Sequence, residues 1–184
     1  MGLDMYLEKR IYVKNWSHNP KKDEVKISVK KGAKKHPNID TSKVSYIIEE
    51  AGYWRKANAI HAWFVEHCGK GNDDCNPYWV SSEDLKDLLD RCNQIIEGCK
   101  LVKGKVANGQ RMVKGKWVNQ MEDGKVMTNS ELAHELLPTQ EGFFFGGTDY
   151  NEWYMNDIIE TKKIVEEALK SIEVGAEIYY QASW

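Results

Sequence analysis

The chain has no run of about 18 apolar residues, so no segment meets the usual length requirement for a transmembrane helix. Its first residues, Met1, Gly2, Leu3 and Asp4, lack the basic-then-apolar order of a secretory signal, and Tyr6 stands where a myristoylation motif wants Ser or Thr. These absences predict a cytoplasmic protein with no membrane partner. Cysteine is scarce, with Cys68, Cys75, Cys92 and Cys99 in two pairs each separated by six residues, a gap wider than the short knuckles of zinc sites. Neither a metal nor a cofactor is expected. Cys92 and Cys99 fall on the stripe of Leu85, Leu88, Leu89, Ile95 and Ile96, where free thiols pack as small hydrophobes. Cys68 and Cys75 bracket residues 69–74, and a reducing cytosol disfavours a bond between them. A P-loop is missing as well. The glycine-rich stretch from Gly142 to Thr148 has no Gly-Lys-Ser/Thr, and Asp149 beyond it would repel an anion.

What is present is an ordinary globular composition rich in rings. The 184 residues carry 26 basic and 28 acidic side chains, 41% are hydrophobic, and 7 Trp and 9 Tyr supply large amphipathic surfaces. Charge is segregated along the chain, because residues 1–36 hold ten basic side chains against four acidic ones. The alternation Leu3, Met5, Leu7, Ile11, Val13 against Asp4, Tyr6, Glu8, Arg10, Tyr12 predicts a half-buried strand. Residues 14–43 read as a lysine-rich excursion or edge hairpin with a short alternation at Val25, Ile27 and Val29. Residues 44–50 fit a strand or a first helical turn, and 53–68 fit a helix stopped by Gly69. A second helix is expected from Ser81 or Ser82 to about residue 99. Within 101–128 the dipeptides Asn108-Gly109 and Asp123-Gly124 predict one or two projecting hairpins. A short helix over 129–137, a buried strand at 143–145, a long helix from near 148 to about 173 and a closing strand over 178–184 complete the prediction. The expected architecture is α+β, a single domain over 1–184 in which two to three helices pack a mainly antiparallel sheet.

Two residues stand in chemically odd places. Trp54, Ala57, Ile60, His61, Phe64, Val65 and Cys68 share a face of the predicted first helix, with Asn58 at its margin, so His61 points inward. On the long helix, Asp157 and Thr161 lie within the apolar stripe of Trp153, Tyr154, Ile158, Ile164 and Val165. A buried carboxylate needs a partner. A His61–Asp157 pair would supply one, serving either as a satisfied core contact or as an acid–base pair assisted by Tyr150 or Asn58. Trp54, Asn58, His61, Trp153 and Asp157 form the candidate ligand-binding set. Tyr6, Arg10 and Tyr12 on the first strand and Tyr179 and Gln181 on the last share the polar parity, suiting an exposed sheet surface. The overall acidity and the lack of an RNP-like sequence favour a solvated face or a protein-binding patch there and argue against nucleic acid.

The segments Gly2-Leu3-Asp4-Met5-Tyr6-Leu7, Tyr53-Trp54-Arg55-Lys56-Ala57-Asn58-Ala59-Ile60-His61 through Trp63-Phe64-Val65, and Leu137-Pro138-Thr139-Gln140 followed by Gly142-Phe143-Phe144-Phe145-Gly146 resemble a family of small proteins encoded by bacteriophages and by bacterial genomes carrying prophages. The likeness extends to Tyr150, Glu152, Trp153, Tyr154, Asp157, Tyr180, Ser183 and Trp184. No reaction comes with it. The resemblance implies a phage setting in a host cytoplasm and not a mechanism; the aromatic richness, the single domain and the lack of a catalytic motif favour an accessory protein that binds a host protein or a small, nucleotide-like ligand without catalysis. The alternative is a small enzyme acting on a phosphorylated or nucleotide substrate through His61 and Asp157.

Overall fold

The computed structural model describes residues 2–184. Strand β1 (Asp4–Tyr12) follows the expected alternation: Met5 and Leu7 are fully buried, whereas Tyr6, Glu8 and Arg10 lie on the opposite face. It is flanked by β4 (Tyr46–Arg55) and β8 (Glu177–Ser183), both antiparallel to it, and β5 (Tyr78–Val80) completes a sheet of order β4-β1-β8-β5. A bulge beside Leu7 leaves Ala51 without an opposite residue. The fold is α+β, with mainly antiparallel strands and four helices.

The residues 53–55 expected to open a helix are strand instead. Tyr53, Trp54 and Arg55 pair with Tyr6, Met5 and Asp4, and Lys56, at a left-handed φ of 62°, breaks the chain before α1 (Asn58–His67). Cross-strand pairing and burial of Trp54 outweigh the helical spacing, so Trp54 shares no helix face with His61. Helix α2 (Ser82–Gly98) begins on a capping box in which Ser81 and Asp84 satisfy each other's backbone N–H groups, and α3 (Ser130–Leu136) is short. The long α4 (Glu152–Glu173) starts four residues later than expected. Its cap is Asn151, whose side chain accepts from the backbone of Trp153 and Tyr154.

Two further expectations are corrected. Residues 143–145 form a turn in which Phe145 N–H donates to Gly142 O and Gly146 takes a φ of 91°; Phe145 is buried and Phe143 is 94% exposed. Within 101–128 the expected one or two hairpins are one, a ribbon of β6 (Leu101–Val113) and β7 (Lys116–Met127), and what is corrected is the place of its turn. Its turn is Lys114-Gly115, both left-handed, while Asn108-Gly109 sits at a bulge and Asp123-Gly124 lies inside β7. Gly124 faces Gly104 because Val106 and Val126 fill the space where Cβ atoms would stand. In the lysine-rich excursion, only β2 (Lys30–Lys31) and β3 (Lys34–Lys35) pair, and the Val25 to Val29 alternation forms no strand. The Asn15 side chain instead clips Val25 through its N–H and its carbonyl.

The helices pack against one face of the sheet around Leu3, Ile60, Phe64, Leu88, Ile158 and Ile178. Helix α4 lies directly on β4 at Gly52, where a Cβ would overlap Ile164. Beside it, Trp54 Nε1 donates to Thr161 Oγ1 (2.9 Å), and Thr161 donates in turn to the Asp157 carbonyl (2.7 Å).

Candidate functional site

His61 projects from α1 into the core, as its spacing implied, but Asp157 is not its partner. Its Nδ1 lies 2.7 Å from Tyr180 Oη on β8, and its Nε2 lies 3.1 Å from Asp73 Oδ2 in the α1–β5 connection. Burial raises the Tyr180 phenol well above its usual range, so it keeps its proton and donates. The Asp73 carboxylate oxygen accepts from Nε2–H. The arrangement therefore reads Tyr180 O–H to Nδ1 and Nε2–H to Asp73, the neutral tautomer of His61. Trp184 Nε1 donates to the other Asp73 oxygen (3.1 Å). Tyr180 stacks on Phe64 with centroids 4.0 Å apart, and Phe145 presents its edge to His61. Both His61 and Tyr180 are fully buried, so no substrate reaches the imidazole.

The other predicted site residues scatter. Asn58 clamps the 139–147 loop: its Nδ2 donates to the carbonyls of Phe145 (3.0 Å) and Gly147 (2.8 Å), and its Oδ1 accepts from Gln140 N–H (3.1 Å). Tyr150 accepts from Thr139 N–H and packs its ring against Tyr154, with no hydrogen bond to His61. Trp153, expected on the buried stripe, is 46% exposed on the first turn of α4. Asp157 is half-buried with no hydrogen-bond or ion-pair partner for its carboxylate among the described residues, and burial pushes its pKa up to about 7.

Sequence reasoning missed Asp73 and Tyr180. The parity of β8 that put Tyr179 and Gln181 outside already placed Tyr180 inside, next to the helix carrying His61. Asp73 carries no such signal, because a loop carboxylate has no period.

On its other face the sheet is open. Cross-strand register brings Tyr6 beside Tyr53 and Gln181, Glu8 beside Glu50 and Tyr179, and Trp79 beside Tyr179. Tyr12 and Tyr46 pair edge to face at its far end. The Arg10 guanidinium covers the Tyr179 ring at 3.9 Å and is bound to Glu8, and Tyr53 donates to Asp4. These contacts hold the rings upright. Glu50 and Glu177 have no cation within ion-pair distance among the described residues.

No family model matches the chain, and comparison with curated proteins and with solved structures finds no relative.

A cleft of about 500 Å³ opens between α1, α2 and the segment after α3, lined by Trp63, His67, Arg91, Leu137, Pro138 and Gln140. Gln140, which lines it, has its Oε1 buried without a hydrogen-bond partner among the described residues. His67 Nδ1 donates to Trp63 O, which makes Nε2 of the neutral ring an acceptor. No group of three or more His, Cys, Asp or Glu among the described residues is placed to hold a metal. No helix is long and apolar enough to cross a membrane.

Proposed function

We propose that this chain is a non-catalytic, phage-type accessory protein acting in the host cytoplasm, and that it docks a host protein on the open face of its sheet. One observation carries the reading: His61 and Tyr180 are hydrogen-bonded to each other inside the core, while the exposed rings of Tyr12, Tyr46, Tyr53 and Trp79 stand on the open face of a single sheet. Tyr and Trp give contact area at low conformational cost and are the residues that anchor protein interfaces. Glu50 and Glu177 set the partner's chemistry. A complementary surface presents Lys or Arg among apolar side chains.

The test is affinity capture from host extract by wild type, Tyr53→Ser/Trp79→Ser and His61→Gln, with hydrogen exchange on the recovered complex. The reading expects a protein lost from the double variant, kept by His61→Gln, and protecting β1, β4 and β8. Capture unaffected by the double variant, or protection elsewhere, overturns it.

A second reading has its own support in the orphan Gln140 Oε1. A small donor-bearing ligand in that cleft would satisfy it. Native mass spectra taken after exposure to host metabolites distinguish the two, because this reading expects a retained mass of a few hundred daltons that Gln140→Leu abolishes.

A further inference from the structure

We propose that the lysine hairpin β2–β3 and the β6–β7 ribbon are arms that hold single-stranded nucleic acid, their cations on the phosphates and the exposed indoles of Trp16 and Trp117 on the bases. This is a second binding activity, and it uses none of the sheet face described above.

Charge is the first observation. Residues 14–36 hold eight lysines against Asp23 and Glu24, and residues 101–127 hold six basic side chains against Glu122 and Asp123. The two arms together carry a surplus of ten on a chain whose net charge is −2, so everything else sums to −12. The whole-chain acidity that argued against nucleic acid is an average over two oppositely charged parts. An acidic body repels a polyanion and confines it to the arms.

The hairpin is the second observation. All four of its strand residues are lysine, paired Lys30 with Lys35 and Lys31 with Lys34, and all are exposed. Like charges set directly opposite one another destabilise a hairpin, and none of the four has a carboxylate partner among the described residues. Phosphates laid along the faces of the hairpin, against Lys30 and Lys35 on one side and Lys31 and Lys34 on the other, remove that repulsion and release counterions. On the ribbon only Lys105 is paired, with Asp123, leaving Arg111, Lys114 and Lys116 free around the tip.

The indoles decide the class of polyanion. Trp117 is 65% exposed opposite Met112, with no ring packed on it among the described residues. Trp16 is tethered through Nε1 to Tyr12 Oη, with Lys14 over its ring at 4.4 Å and His18 parallel to it at 6.5 Å, and is still half in solvent. Lys14 over the Trp16 ring and the tip cations Arg111, Lys114 and Lys116 next to Trp117 along the ribbon put aromatic faces and positive charge within one short stretch, which suits a backbone of phosphates that carries an unstacked base at each step. A Trp face needs an unpaired base, hence a single strand. An anionic bilayer would want an apolar stripe, and the neighbours of Trp117 and Met112 on that ribbon face are the hydrogen-bonded amides of Gln110 and Asn119.

The arms leave opposite ends of the body. The excursion joins the ends of β1 and β4 next to Glu177, just past the C-terminus of α4, while the ribbon base bridges to Asn151 at the N-terminus of α4. The 22 residues of that helix set the two bases about 33 Å apart.

The experiment titrates a labelled oligo-dT of about 20 nucleotides with the full chain by fluorescence anisotropy between 50 and 200 mM salt. Matched duplex and vesicles of phosphatidylserine and phosphatidylcholine serve as competitors. The proposal expects log affinity to fall linearly with log salt, and the variant with Lys30, Lys31, Lys34 and Lys35 all replaced by Gln to bind at least about tenfold more weakly, its salt slope smaller by about 3. Trp117→Ala should weaken binding about tenfold with the slope unchanged. All five positions are exposed, and circular dichroism checks that the fold is kept. No binding to oligo-dT at 50 mM salt, wild-type affinity in the lysine variant, or more effective competition by duplex or by vesicles overturns the proposal.

Discussion

Tyr179 and Tyr180 are neighbours on one strand and face opposite worlds. Tyr180 stacks on Phe64 and donates a hydrogen bond to His61, which donates another to Asp73, and nothing in that chain is left unpaired. Tyr179 lies under the Arg10 guanidinium with solvent beyond, among rings held in place but not covered. The polar groups of this buried row are satisfied and hold one packing, whereas polar groups on the open face orient their neighbours. A buried histidine, a carboxylate and a phenol in a row is therefore poor evidence for chemistry when no solvent path reaches them.

Phe64→Ala strikes the inner side hardest. It removes the ring under Tyr180 and should cost about 3–5 kcal/mol in chemical denaturation. Asp157→Asn moves stability the other way. The folded carboxyl titrates near 7 and an unfolded one near 3.9, so between those values the folded state binds more protons and stability falls as pH rises. The substitution should gain about 2 kcal/mol above pH 7, discounting the shift for partial exposure, and nothing near pH 4. A gain that is independent of pH would break the assignment. Tyr180→Phe keeps the stack and removes one hydrogen bond to a buried imidazole, so a loss of about 1–2 kcal/mol is expected. The smallest effect belongs to the outer face: Tyr53→Ser and Trp79→Ser should each change stability by no more than about 0.5 kcal/mol. A large loss from either would mean that those rings serve the fold, and the contrast between the two faces would collapse.

The sequence made much of the fold legible wherever one period ran uninterrupted. β1, α2 with its capping box, α3 and the inward aim of His61 follow from alternation, caps and spacing. Residues 53–57 misled because Trp54 and Ala57 keep helical spacing with Ile60 while the chain is still pairing with β1, and the break falls at Lys56, a residue that announces no turn. The ribbon misled through its dipeptides, since Asn108-Gly109 reads as a tip but serves as a bulge. Asp157 was legible as an anomaly. Its proposed partner was not, because helix spacing gives the direction of a side chain and not what waits at the far end, and His61 found Asp73 in a loop.

Gly52 gives the molecule a hidden intolerance. Its backbone is only half-buried in β4, so a survey of variants ranked by accessibility would score the position as permissive. The Ile164 side chain, however, occupies the place of the missing methyl group. Even alanine would wedge α4 away from the strand and strain the Trp54–Thr161 latch two residues along, so the least conspicuous residue of β4 should be among the most selective against change.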